Sequence, residues 1–134
     1  MKVLTVLILI FITSHTWAED AALSRLAEYA KAAGQQFSIV RGQQLWTQKH
    51  SYSSGVKQRS CASCHGEDLR LPGKHARTGK RIDPISRVTN PAALTDEKKI
   101  EKWFKRNCKW TMGRECSVQE KGDVISYLLN GAGK

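Results

Sequence analysis

The chain has 134 residues, with 22 Lys and Arg against 12 Asp and Glu, for a formal net charge of +10. That length holds one domain with a modest core and argues against a second. The basic balance alone would suit nucleic acid. The N-terminal segment points to export, however, so no nucleic acid partner is expected, and an acidic protein surface or anionic lipid is the better match.

Lys2 precedes an apolar run from Val3 to Ile12, and Thr16-Trp17-Ala18 ends on a small residue ahead of Glu19-Asp20. This is the plan of a cleaved signal peptide covering residues 1–18. The run is about half of the roughly twenty residues that a bilayer-spanning helix needs, so no transmembrane segment is expected in the mature chain, residues 19–134. A periplasmic location follows. The four cysteines all lie in the mature part, and each is expected to be bonded in that oxidising compartment.

Leu23, Leu26, Tyr29 and Ala30 recur at helical spacing and predict a short amphipathic helix that stops near Gly34, an addition to a core domain of about residues 38–130. A second helix is predicted from about Phe37 to Gln48, with Phe37, Val40, Gln44 and Leu45 on one side and Trp46 close by. Ser51 to Gly55 reads as a loop.

Cys61-Ala62-Ser63-Cys64-His65 is the Cys-x-x-Cys-His pattern of c-type haem attachment. Two thiols three positions apart can each add to one of two adjacent vinyl groups, and the next residue places an imidazole under the iron. The second imidazole nitrogen needs an acceptor, for which the backbone at Leu71-Pro72 is a candidate. A zinc site would want a second close ligand pair, and a thioredoxin-like motif would want a strand-to-helix setting; neither is present. The cofactor expected is one covalent haem c, with Cys61 and Cys64 as attachment points and His65 as proximal ligand. From Gly66 to Pro91 the chain carries three prolines and little apolar periodicity. It is expected to be a long irregular segment wrapped on the haem, which takes the place of a side-chain core.

Thr95-Asp96-Glu97 predicts a helix start. Ile100, Trp103, Phe104 and Asn107 follow at offsets of 0, 3, 4 and 7, which puts the Asn107 amide on the apolar face. Cys108 and Cys116 bracket Lys109 to Glu115, and a disulfide between them would close a nine-residue segment with both cysteines included. Ser117 and Glu120 form a capping-box pattern ahead of Val118, Val124, Ile125, Leu128 and Leu129, with Gly131 as a stop. The sixth iron position has two main candidates: Met112, the only methionine of the mature chain, expected in the loop before the last helix, and Asn107, whose alternative role is a helix C-cap. His50 and His75 are further candidates, both expected to be exposed.

Gly42-x-x-Leu45-Trp46 ahead of the haem motif, with a late helix after it, resembles the class I cytochrome c pattern. Arg77-Thr78-Gly79-Lys80, Ile82-x-Pro84, Val88-x-Asn90-Pro91 and, above all, Glu101 to Cys108 with Gly113-Arg114-Glu115-Cys116 resemble the sphaeroides haem protein family of small monohaem c cytochromes. The likeness runs from about Arg41 to Leu129. It implies an all-α class I cytochrome c fold with an extra N-terminal helix, His65 as proximal ligand, Asn107 as a labile distal ligand of ferric haem, and a Cys108–Cys116 disulfide. It also implies binding of oxygen or another diatomic gas at ferrous haem, and electrons taken from a dihaem c-type cytochrome. Met112 stands where the family has a non-ligating apolar residue, so an ordinary His/Met electron carrier is the alternative. Trp103, Phe104 or Trp110 is expected to line the pocket. Turnover as an oxygen or nitric oxide reductase or dioxygenase is the enzymatic alternative.

Overall fold

A computed structural model of the chain describes residues 20–51 and 58–130; the expected signal segment and the Gly131 stop lie outside these residues. Among the described residues the regular elements are α1 (Ala21–Ala30), α2 (Ile39–Thr47), α3 (Ala62–His65), β1 (Gly73–Lys74), β2 (Arg81–Ile82), α4 (Glu97–Met112) and α5 (Val118–Asn130). None of these helices is long and apolar enough to cross a membrane.

The capping box forms as the sequence predicts. The Ser117 backbone N–H donates to the Glu120 carboxylate at 2.8 Å, and the Glu120 N–H donates to the Ser117 hydroxyl at 3.2 Å. Val124, Ile125 and Leu128 of α5 are buried, and with them Tyr127 and Asp123.

The most extensive helix pairing is α2 against α5. The apolar face of α2 is rotated from the one its sequence suggests: Val40 is 62% exposed and Gln44 is exposed, while Gly42 and Trp46 are buried. Gly42 explains the rotation, because a Cβ there would stand 2.0 Å from the Asp123 carbonyl oxygen. Backbone meets backbone at that point, and a larger residue would hold the helices apart. Asp123 also accepts hydrogen bonds from the Ser38 N–H at 2.7 Å and from Arg41 Nε at 2.8 Å, tying the start of α2 to α5. Burial raises the Asp123 pKa, but these hydrogen bonds and the Arg41 charge outweigh it and hold the carboxyl below its ordinary range.

Helix α1 starts on the Asp20 carboxylate, which accepts from the Ala22 and Leu23 N–H groups at 2.9 and 3.2 Å and is also paired with Arg87. Leu23 is 56% exposed; Ala22, Leu26 and Tyr29 make the inward face with Ile100 and Ile125. Tyr29 donates its hydroxyl hydrogen to Glu101, which also accepts from Lys121 at 3.0 Å, so α1, α4 and α5 share one polar contact. The long segment after the haem motif is less irregular than expected. Gly73 pairs with Ile82 and Lys74 with Arg81 in a two-stranded antiparallel hairpin.

Helix α4 starts on Asp96, whose carboxylate accepts from the Lys99 N–H at 3.0 Å, and runs through to Met112. Gly113 ends it at φ 73°, a left-handed conformation that glycine adopts without a Cβ clash. Two expectations change as a result. Met112 is the last residue of a helix rather than part of a loop, and Asn107 lies inside α4 rather than at its cap.

Candidate functional site

Helix α3 is a single turn, with the Cys64 and His65 N–H groups both reaching the Cys61 carbonyl at 3.2 and 3.1 Å. Ser60 and Ser63 brace it from outside through reciprocal side-chain to backbone hydrogen bonds of 2.9 and 3.1 Å. Cys61 and Cys64 are both free thiols on this one turn. Cys61 and Ala62 pack against the cluster of Trp46, Leu69, Val124, Tyr127 and Leu128. Burial pushes the Cys61 thiol up to about 11, so it is protonated at neutral pH.

Trp46 ties the turn to α2. Its indole N–H donates to the Gly66 carbonyl at 2.9 Å, and its ring lies 5.3 Å from the His65 ring. Burial pushes the His65 pKa down, which keeps the imidazole neutral, the form that binds a metal. From the other side the hairpin closes on the turn: the Ala76 N–H donates to Cys64 Sγ at 3.3 Å, and a Cβ on Gly73 would stand 2.1 Å from the Cys64 carbonyl oxygen. Leu71 is exposed, and no hydrogen bond among the described residues joins the His65 ring to Leu71 or Pro72.

On α4, Ile100, Phe104, Asn107 and Thr111 fall within an arc of roughly 60° at about 100° per residue, whereas Met112 lies about 140° from Asn107. Ile100 and Thr111 are buried, Asn107 is half-buried, and Phe104 packs against the cluster that also holds Cys61. Asn107 therefore shares the inward face of α4, on which Phe104 packs against both the α1-side cluster and the cluster that holds Cys61. Trp103 does not line a pocket: it is 48% exposed, with the Arg106 guanidinium 4.3 Å over its ring. Cys108 is bonded to Cys116, joining α4 to the residues that lead into α5.

His50 and His75 are half-buried rather than exposed. His75 Nδ1 accepts from the Arg77 and Thr78 N–H groups at 3.4 and 3.2 Å, which in the neutral ring leaves the proton on Nε2 and no lone pair there for a metal. His50 is paired through its backbone with Arg59, and its Nε2 is buried without a hydrogen-bond partner among the described residues. Sequence reasoning missed Arg59 and Trp110 as a pair. The Arg59 guanidinium lies 4.1 Å over the Trp110 ring, but neither residue belongs to a motif or a shared periodicity.

Two free thiols one turn apart, a neutral half-buried imidazole immediately after them, and an apolar wall of Trp46, Leu69 and Leu128 fit a covalently attached haem. The comparisons agree. A family described as a domain of unknown function (DUF1924) matches residues 32–128. Cytochrome c-type protein SHP of Cereibacter sphaeroides is 38% identical over 105 residues, 77% of this chain and 78% of that protein. The structure of oxidised SHP, an oxygen-binding cytochrome c, superposes with a TM-score of 0.74 at 34% identity, covering 81% of this chain and 95% of that one. Oxidised cytochrome c'' of Methylophilus methylotrophus gives 0.73 at 34% identity, covering 82% and 94%; its solution structure concerns the structural basis of haem-ligand detachment.

Fold and site together define a class I c-type cytochrome with an all-helical frame and a covalently bound haem c. More narrowly, the chain belongs to the sphaeroides haem protein family.

Proposed function

We propose that this cytochrome binds a diatomic gas (oxygen, nitric oxide or carbon monoxide) at reduced haem, after taking an electron from a partner, a dihaem c-type cytochrome. The setting is the periplasm, after removal of residues 1–18. A bound haem would supply an iron that changes oxidation state and can take ligands from the protein and from a gas. Cys61 and Cys64 would hold it through thioether bonds, and His65 would offer its neutral imidazole nitrogen as proximal ligand. Asn107 would offer its carboxamide oxygen as distal ligand. That oxygen is a hard donor, better suited to ferric than to ferrous iron, so Asn107 would bind the oxidised state and leave on reduction. Phe104 limits the entry of water.

The observation that carries this reading is the place of Asn107 in the interior of α4, on the same face as buried Ile100 and Thr111. A carboxamide there is not needed as a cap, since Gly113 ends the helix. A ligand role offsets the cost of half-burying it. The oxygen-binding relative and the relative known for ligand detachment support a distal ligand that leaves.

Optical spectra of the holoprotein test this. The expected result is a high-spin ferrous spectrum, immediate binding of carbon monoxide, and a ferric spectrum altered by Asn107→Ala. A low-spin ferrous form that ignores carbon monoxide, with a sulfur-to-iron charge-transfer band in the ferric state, would make Met112 the ligand and the protein a plain His/Met electron carrier. Steady turnover of oxygen or nitric oxide with an electron donor would add an enzymatic role.

A further inference from the structure

Arg59 stands two residues before Cys61, and its backbone is fixed by paired hydrogen bonds with His50, at 2.8 Å from the His50 N–H and 3.1 Å to the His50 carbonyl. Its guanidinium lies 4.1 Å over the Trp110 ring and donates from Nη1 to the Trp110 carbonyl oxygen at 3.4 Å. That carbonyl is in the last turn of α4, beyond Lys109, whose carbonyl is already taken by the Gly113 N–H. It is therefore an acceptor that the helix itself leaves free, and a cation beside it also suits the helix dipole. His75 flanks the same indole at 5.7 Å. Trp110 follows Asn107 by three residues, so the two are neighbours on successive turns of α4.

We propose that Arg59 is a positioning residue for Asn107, acting through Trp110: the pair latches the segment leading into the haem-attachment turn to the turn of α4 just beyond Asn107. This rests on Asn107 being the distal ligand. The latch fixes the distance between the covalent anchor of the haem and the carboxamide that must reach its iron, on a ligand chosen to be weak. A second cation–π pair on α4, Arg106 over Trp103, lies within that one helix and, among the described residues, joins it to no other element.

The test compares Arg59→Ala, Arg59→Lys, Trp110→Phe, Arg106→Ala and Asn107→Ala holoproteins by ferric spin state and midpoint potential. Arg59→Ala is expected to shift the ferric equilibrium toward the unligated high-spin form by about threefold to tenfold. With the ferrous form unligated, this raises the midpoint potential by about 30 to 60 mV. Arg59→Lys, which keeps the charge but not the planar stack, should fall between wild type and alanine, and Trp110→Phe should stay near wild type. Arg106→Ala should change nothing. If Asn107→Ala alters the ferric spectrum while Arg59→Ala and Arg59→Lys match wild type in both readouts, the latch is overturned and the ligand reading stands. If Asn107→Ala matches wild type, the ligand reading fails and the latch with it.

Discussion

Gly42 of α2 sits directly on Asp123 of α5: a Cβ on Gly42 would stand 2.0 Å from the Asp123 carbonyl oxygen and 2.8 Å from the Tyr127 Cβ. The same crossing places Trp46, one turn further along α2, against Tyr127 and the His65 ring. Gly42→Ala should therefore push α2 away from α5 and cost about 2 to 3 kcal/mol, the range of overpacked contacts with unyielding backbone. Denaturant unfolding of the holoprotein checks this, and an unchanged midpoint would mean that the helices do not meet so closely.

The Asp123 carboxylate makes the pH dependence of this crossing readable. Its folded pKa lies below the ordinary value, so its contribution is fully present above about pH 4 and is lost as pH falls through the folded pKa. Asp123→Asn removes the charge that Arg41 pairs with and should cost about 2 kcal/mol at pH 7. The gap in melting temperature between wild type and Asp123→Asn should narrow as pH is lowered toward 3. A gap that stays constant would show that the carboxylate contributes no linked proton.

The Cys108–Cys116 bond closes a short loop between α4 and α5. The chain-entropy estimate for such a loop is about 2.5 to 3 kcal/mol, a large part of the roughly 5 to 15 kcal/mol that a domain has. A Cys108→Ser, Cys116→Ser double variant should lose about that much in denaturant unfolding. An equal midpoint for both proteins would mean that the loop is already ordered without the bond.

Met112 lies about 140° around α4 from Asn107 and closes the helix. Met112→Leu should leave the ferric and ferrous spectra unchanged and move the midpoint potential by less than about 30 mV, half of a tenfold change in ligation. A large fall in potential with loss of a low-spin ferrous band would instead identify the thioether as a ligand.

The turn that carries Cys61, Cys64 and His65 was readable because bringing the three together depends on spacing alone and needs only one helical turn. The start of α5 was readable for the same reason, since Ser117 and Glu120 cap it locally. Asn107 was placed on the right face because Ile100 and Phe104 fix the phase of α4. Three kinds of detail were not readable. The rotation of α2 is set by a contact between Gly42 and a residue far along the chain, which periodicity does not see. Trp103 fits the apolar phase yet faces outward, where Arg106 stacks on it. The Arg59–Trp110 pair and the Gly73–Ile82 hairpin join segments whose own composition announces nothing.

Cys61 ties the cofactor's anchor to the frame of the fold. It is partly buried against the cluster of Trp46, Val124, Tyr127 and Leu128, the residues through which α2 meets α5. A haem stitched to Cys61 is fastened to that crossing, so whatever loosens the crossing loosens the seat of the cofactor.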